Sequence, residues 1–203
     1  SYNLLSWTLN IPSPLEGNPT IKYLDSIDAD IVCLQEFAFA ELKKIGRHSD
    51  ILSQYPYRSF DLSGNGEWTS RYLGCLSKYP ILSVEQIDLF TTANGCQKYR
   101  ILHEGDTIVV YNCHLQSNNL NTEDKSNYEQ ILSDPKGKLR MQSTWSILDK
   151  LADAAAKRAV HAHRLLEDME RENAPYVVLC GDYNDSPISY THHLFTKRLD
   201  DAY

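Results

Sequence analysis

No apolar run in this chain approaches the ~20 residues that a membrane-spanning helix needs, and no stretch of it reads as a secretory signal. Basic residues are in deficit: 20 lysines and arginines face 27 aspartates and glutamates, a formal net charge of -7. An acidic chain has no general attraction for a polyanion, so binding to nucleic acid needs a local basic rim or a bound cation to override the average. Internal repeats and low-complexity tracts are missing, which sets aside solenoid architectures.

A disulfide framework is missing too. The five cysteines are odd in number and irregular in spacing, which argues against full pairing. Cys33, Cys75, Cys113 and Cys180 sit inside apolar strand-like runs, where free thiols behave as small hydrophobes, while Cys96 falls in a turn-like Asn94-Gly95-Cys96 stretch. No CxxC pair accompanies Cys113 and His114, so a zinc site lacks its ligand spacing. No GxSxG marks a serine hydrolase. The chain opens on Ser1 rather than methionine, so upstream residues, with any targeting information, are expected to have been removed or left out.

What is present suits one folded unit. A chain of 203 residues with 42% hydrophobic content can bury a sizeable core and fits a single domain over residues 1-203 better than two small ones. Strand candidates are Tyr2 to Ser6, Ile31 to Leu34, Tyr57 to Phe60, Arg71 to Ser77, Ile81 to Phe90, Tyr99 to Leu102, Thr107 to Cys113 and Tyr176 to Cys180. Turn signals separate them: the cluster of Pro12, Pro14, Gly17 and Pro19, then Gly64-Asn65-Gly66, Tyr79-Pro80, Asn94-Gly95 and Glu104-Gly105-Asp106, the last a hairpin tip. A short helix from Thr20 to Ser26 leads into the Ile31 run. The strongest periodicity joins Trp145, Leu148, Ala152, Ala155, Ala159, Ala162, Leu166 and Met169 at steps of three and four, which predicts one long amphipathic helix. Its small alanines favour packing on a sheet over a free-standing coiled coil. Between Leu120 and Gln142 the composition turns polar and predicts a surface loop.

Four polar strings punctuate these runs in order: Ser1-Tyr2-Asn3, Leu34-Gln35-Glu36, Asn112-Cys113-His114-Leu115 and Gly181-Asp182-Tyr183-Asn184. Each begins or ends a predicted strand, so their tips are expected to converge at one end of a sheet assembly. Phosphoester cleavage needs charge neutralisation on the phosphate oxygens, an oriented water and a protonated leaving oxygen. Glu36 supplies a carboxylate suited to magnesium, which keeps several waters and takes one or two protein carboxylates. Asn3 is a neutral oxygen donor for the same cation. Asp182 suits the attacking water, and Asn184 faces the same way if the chain stays extended. His114 suits donation to a phosphate oxygen or to the leaving group. Taken singly, each has a bland reading as a capping carboxylate, a turn residue or a structural histidine; their joint occurrence at strand ends carries the expectation.

At these strings the chain resembles the endonuclease/exonuclease/phosphatase superfamily, the DNase-I-like fold. The resemblance spans essentially the whole chain. It rests on Tyr2-Asn3, on 30-36 ending in Leu34-Gln35-Glu36, on 74-81 with Ser77-Lys78-Tyr79-Pro80, on 111-117 with Asn112-Cys113-His114, and on 180-187 with Gly181-Asp182-Tyr183-Asn184. It implies a four-layer α/β sandwich of two packed mixed sheets flanked by helices. It also implies a magnesium-dependent phosphoesterase, with manganese as a substitute. Glu36 and Asn3 would hold the metal, His114 and Asn184 the phosphate, and Asp182 the water or a transition-state oxygen. Members typically carry a later acidic strand residue and a terminal Ser-Asp-His motif, absent here, so the natural protein is expected to continue beyond Tyr203 with the last strands. Substrates across the superfamily include nucleic acid, phospholipid head groups and small phosphoesters. Arg71, Lys78, Lys98 and Arg100 are candidates for a phosphate-facing rim. The alternative from another class is a binding module that keeps the fold and cation site without turnover.

Overall fold

The computed structural model describes residues 1-3, 19-36, 53-60, 73-91, 94-133 and 141-202. The Pro12-to-Gly17 loop, the Gly64-Asn65-Gly66 turn, the end of the first strand at Leu4 to Ser6, and Arg71 lie outside these residues. The chain divides into two compact units, one of Ser1–Leu115 with Asp168–Tyr183 and one of Gln116–Glu167 with Asn184–Tyr203.

All described strands belong to the first unit. One sheet has the order β1-β2-β4-β3, from β1 (Tyr2–Asn3), β2 (Ile31–Gln35), β3 (Tyr57–Phe60) and β4 (Gly74–Ser77). The other runs β5-β6-β7-β8, from β5 (Ile81–Ile87), β6 (Gly95–His103), β7 (Asp106–His114) and β8 (Tyr176–Asp182). Both sheets are mixed: β1 is parallel to β2 and β8 to β7, and the other pairings are antiparallel. The two-residue tip between β6 and β7 has positive φ at Glu104 (51°) and Gly105 (95°). Those signs give the turn whose twist matches a hairpin, as the Glu104-Gly105-Asp106 signal predicts. Helix α1 (Pro19–Ser26) precedes β2 and buries Leu24 completely; its first residue is a proline, whose missing N–H costs nothing there.

The sheets meet face to face. Cys33 and Cys75 from the first pack with Tyr99, Ile101 and Val110 from the second, so thiols fill the interior as small hydrophobes. One polar side chain crosses this layer. Asn112, fully buried on β7, donates through Nδ2 to the carbonyls of Leu34 (3.1 Å) and Gly74 (3.0 Å) and accepts at Oδ1 from Gln35 Nε2 (2.6 Å). Every polar atom of the Asn112 amide is thereby satisfied, which a buried amide requires. Cys96 departs from its expected turn: it lies inside β6, buried opposite Cys113, with the two free sulfurs 2.9 Å apart.

Among the described residues, the three candidates for a basic rim are paired with carboxylates. Lys98 is buried, with Nζ 2.8 Å from Asp168 and 2.9 Å from Glu85. Burial opposes its charge, but those two carboxylates outweigh it and raise its pKa. Arg100 makes a two-pronged bond to Glu172 at 2.9 and 2.7 Å and holds that carboxyl below its usual range. Lys78 pairs with Asp28 and Asp30. These cations are committed to carboxylates of their own chain.

The second unit is helical among its described residues. Helix α2 (Thr122–Ser133) stands where a loop was expected. Its start is closed reciprocally: Asn121 Oδ1 accepts from Asp124 N (2.8 Å) and Asp124 Oδ2 from Asn121 N (3.0 Å), so two amide groups at the helix start are satisfied at once. Lys150 then holds Asp124 at 2.5 Å. Helix α3 (Met141–Glu170) is the predicted long helix, with its residues from Asp168 onward in the first unit. Its buried stripe agrees with the expected one only in part. Of the expected positions Ala162 and Met169 are buried but Trp145 and Leu148 are exposed, and the other buried positions are Ile147, Ala154, Arg158, His161 and Leu165. Helix α4 (Tyr190–Phe195) is capped by Ser189, whose side chain accepts from His192 N at 3.1 Å.

Candidate active site

Parallel strands bring their C-terminal ends to one edge, and both parallel pairs of the first unit end on predicted site residues. In the β1/β2 pair Asn3 lies opposite Gln35, and Glu36 is the next residue. In the β7/β8 pair His114 lies opposite Asp182, and the ladder closes with the Leu115 N–H on the Asp182 carbonyl at 2.9 Å. The two pairs meet at their tips, because His114 Nε2 is 3.6 Å from Glu36 Oε1. That separation is a close approach, longer than a hydrogen bond. The structure therefore brings together Glu36, His114 and Asp182, with the backbone of Asn3 one strand over. Asn184 belongs to the second unit.

Local backbone geometry explains how the tips are aimed. Glu36 has φ 52°, a left-handed conformation that a side chain with Cβ adopts at a cost. It ends β2 at the residue that carries the carboxylate. Gly181 has φ 139°, and a Cβ there would fall on the Cys113 backbone carbonyl. Only glycine lets β8 run this close to β7, so Gly181 fixes the spacing of the His114 and Asp182 pair. Asn184 also has a left-handed φ, 51°. The chain is thus not extended from Asp182 to Asn184, and the expected same-side alternation of the two side chains does not apply.

The surroundings differ in exposure. His114 is buried, 2% exposed, whereas the Glu36 side chain keeps 22% of its surface. Behind them, Gln35 is held by Asn112, and Asn94 Nδ2 donates to the Leu115 carbonyl at 2.8 Å. The imidazole is embedded while the carboxylate stays reachable from solvent. Asn94, Gln35 and Asn112 support the site without appearing among its predicted members; only Gln35 and Asn112, as neighbours of Glu36 and His114 in the polar strings, carried a hint in the sequence.

Among the described residues, no group of three or more histidines, cysteines, aspartates and glutamates is placed to hold a metal ion. Zinc sites draw mainly on cysteine and histidine. The donor chemistry suits a hard cation instead: Glu36 and Asp182 offer carboxylate oxygens and Asn3 belongs to an oxygen-bearing type. Magnesium completes its shell mostly with water and phosphate oxygens.

Two packed mixed sheets carrying a carboxylate, an imidazole and a second carboxylate at the ends of their parallel strands define an α/β sandwich of the DNase-I-like class. The model of the Endonuclease/Exonuclease/phosphatase family matches residues 8–202, and the chain belongs to that family. Solved structures share the fold. Humanized D. rerio TDP2 superposes with a TM-score of 0.57 at 14% identity over 91% of this chain and 61% of its own. Sphingomyelinase C from Streptomyces griseocarneus gives 0.52 at 19% over 86% and 59%, and beta toxin from Staphylococcus aureus 0.54 at 16% over 89% and 60%. The chain thus spans about three fifths of the length of these structures. None of the curated proteins matches it in sequence.

Proposed function

We propose that the protein is a metal-dependent hydrolase of phosphoesters that works by attack of water. The observation that carries this reading is the meeting of Glu36 and His114 at 3.6 Å across the two sheets, with Asp182 directly opposite His114 in the ladder. Family membership over residues 8–202 supports it, and the match runs through both compact units, in keeping with one domain.

Glu36 and Asn3 would hold a magnesium or manganese ion. Such an ion, when bound, neutralises charge on the phosphate oxygens. Asp182 orients the attacking water and takes up its proton. His114, embedded so that its ring has little room to turn, donates to a phosphate oxygen or to the departing oxygen. Asn184, two residues beyond Asp182, presents its amide to the phosphate; its place in the Gly181-to-Asn184 string supports that role. The substrate class is a phosphodiester or phosphomonoester in nucleic acid, a phospholipid head group or a small molecule. Likeness to a sphingomyelinase is compatible with the second of these. The net charge of -7 and the internally paired Lys78, Lys98 and Arg100 weigh against long nucleic acid.

Hydrolysis of bis-p-nitrophenyl phosphate by the full-length protein tests the reading. Turnover should require magnesium or manganese, stop with EDTA, and fall by about 10²–10⁴ in His114→Ala and at least as far in Glu36→Ala. Equal rates for wild type and both variants would remove it. Calorimetric magnesium binding without turnover would favour a binding module that keeps the cation site.

A further inference from the structure

Helix α3 buries a full positive charge in a stripe whose other buried members include Ile147, Ala154, Leu165 and Met169. Arg158 is 4% exposed. Its Nε donates to Asp185 Oδ2 at 3.0 Å, and its Nη1 donates to the Gln116 carbonyl at 2.9 Å and to Asn118 Oδ1 at 2.8 Å. All four residues lie in the second unit. The acceptors come from two segments without helix or strand, residues 116-120 and 183-189. One rigid helix thereby grips two irregular stretches of chain through a single planar group.

Stability alone is a poor reason for such a residue. A buried ion pair is roughly matched, and often exceeded, by apolar side chains of the same volume, because both charges lose their water. What the guanidinium supplies is direction: its donors leave in fixed directions in one plane, which an ammonium cannot imitate. The carboxylate it holds is clamped on its other side too, since Asp185 Oδ1 accepts from Ser186 N at 3.1 Å. Asp185 therefore has little freedom to rotate, and the residue immediately before it is Asn184. Asn184 sits at φ 51°, a left-handed backbone that asparagine adopts more readily than other residues with a Cβ.

We propose that Arg158 is a positioning residue that acts through Asp185 to set the backbone, and hence the amide direction, of Asn184. The inference rests on the reading of Asn184 as a phosphate ligand for its effect on catalysis, but not for the coupling itself. Arg158 touches no reacting atom in this scheme. It holds the 183-189 segment and the 116-118 segment to a common reference, so that the Asn184 amide is already aimed when a phosphoester arrives. Orientation of this kind matters steeply, since misplacing a group by about 1 Å can cost about 10²-fold in rate.

The test has two arms on the full chain. In the first, the Asn184 side-chain amide signal of ¹⁵N-labelled protein is assigned by its loss in Asn184→Ala, then followed in Arg158→Lys and in Asp185→Asn, which weaken the same bond from its two ends. Both variants should shift or broaden that signal. The signal staying at its wild-type position in both folded variants would overturn the proposal whatever the activity. In the second arm, Arg158→Lys should lower kcat/KM for bis-p-nitrophenyl phosphate by about 10- to 100-fold, and add no further loss in the Asn184→Ala background. Losses that multiply in the double variant would show that Arg158 acts independently of Asn184 and overturn the proposal. Absence of turnover in the wild type would defeat the hydrolase reading instead, and the amide signal would still decide the coupling. Asp185→Asn keeps the test available if the charge-retaining Arg158→Lys fails to fold.

Discussion

Glu36 reaches His114 from the other sheet, Oε1 to Nε2 at 3.6 Å, from a backbone held at φ 52°. Two residues that stand 78 positions apart in the chain thus meet only because the sheets pack, and the carboxylate partner is held in a conformation that costs about 1 kcal/mol for a residue with Cβ.

That cost separates folding from chemistry. Glu36→Gly relieves the left-handed backbone and removes the carboxylate, so the variant should melt at or above the wild-type temperature while metal-dependent turnover falls by at least about 10². Thermal denaturation beside the phosphodiesterase assay checks both. A melting point several degrees lower would mean that the carboxylate holds the fold.

Gly181→Ala should do the reverse. The added methyl would meet the Cys113 backbone, which cannot yield without parting β7 from β8. A loss of about 3 kcal/mol or more is expected, roughly 10 °C in melting temperature for a chain of this size. An unchanged melting curve would show that β8 is free to slide.

Asn112→Leu keeps the bulk and removes the ties. The carbonyls of Leu34 and Gly74 and the Gln35 amide would each lose a bond in the interior, at about 1–3 kcal/mol for each group left without a partner. Urea denaturation should show a total loss of several kcal/mol, and a cost under about 1 kcal/mol would mean that water or a side chain takes over those groups.

His161 makes the fold acid-sensitive. Burial, with Arg158 and Lys157 adding repulsion, pushes its pKa below the usual histidine range, and Nδ1 has no hydrogen-bond partner among the described residues. With the folded-state pKa lowered, the unfolded chain binds the proton more readily. The stability it contributes is therefore present above about pH 6.5 and declines as pH falls through the unfolded value toward the folded one. Urea midpoints should drop between pH 7 and pH 5 in the wild type and drop less in His161→Leu. Equal drops would place the sensitivity elsewhere.

Much of this molecule was readable from its residues, and the failures have identifiable causes. Apolar runs located β2, β4 and β7, which are largely buried, while β3, β5 and β8, partly exposed, were delimited by the turn signals around them. Cys96 was misread because Asn94-Gly95 resembles a turn, whereas Gly95 already pairs with His114. Helix α2 was missed because it is polar, with its signal lodged in the Asn121 and Asp124 pair rather than in any periodicity. The buried stripe of α3 was misplaced in its middle, though not at Ala162 and Met169, because Arg158 and His161 occupy it and reading hydrophobic residues alone moves it onto Ala152 and Ala155. The same error concealed Arg158. For the site, the order of the polar strings announced Glu36, His114 and Asp182, but the left-handed backbones at Glu36 and Asn184 were invisible to a pattern that assumes extended strands.

The amide of Asn112 gives the site a gauge. Because it grips the carbonyl of Leu34 and the side chain of Gln35, immediately before Glu36, while standing two residues before His114, the gap between the layers and the gap between carboxylate and imidazole are one mechanical quantity. Repacking the thiol-lined interior with bulkier or slimmer residues would consequently retune the reach of Glu36, so interior volume and the geometry of the candidate site can only be engineered as a pair.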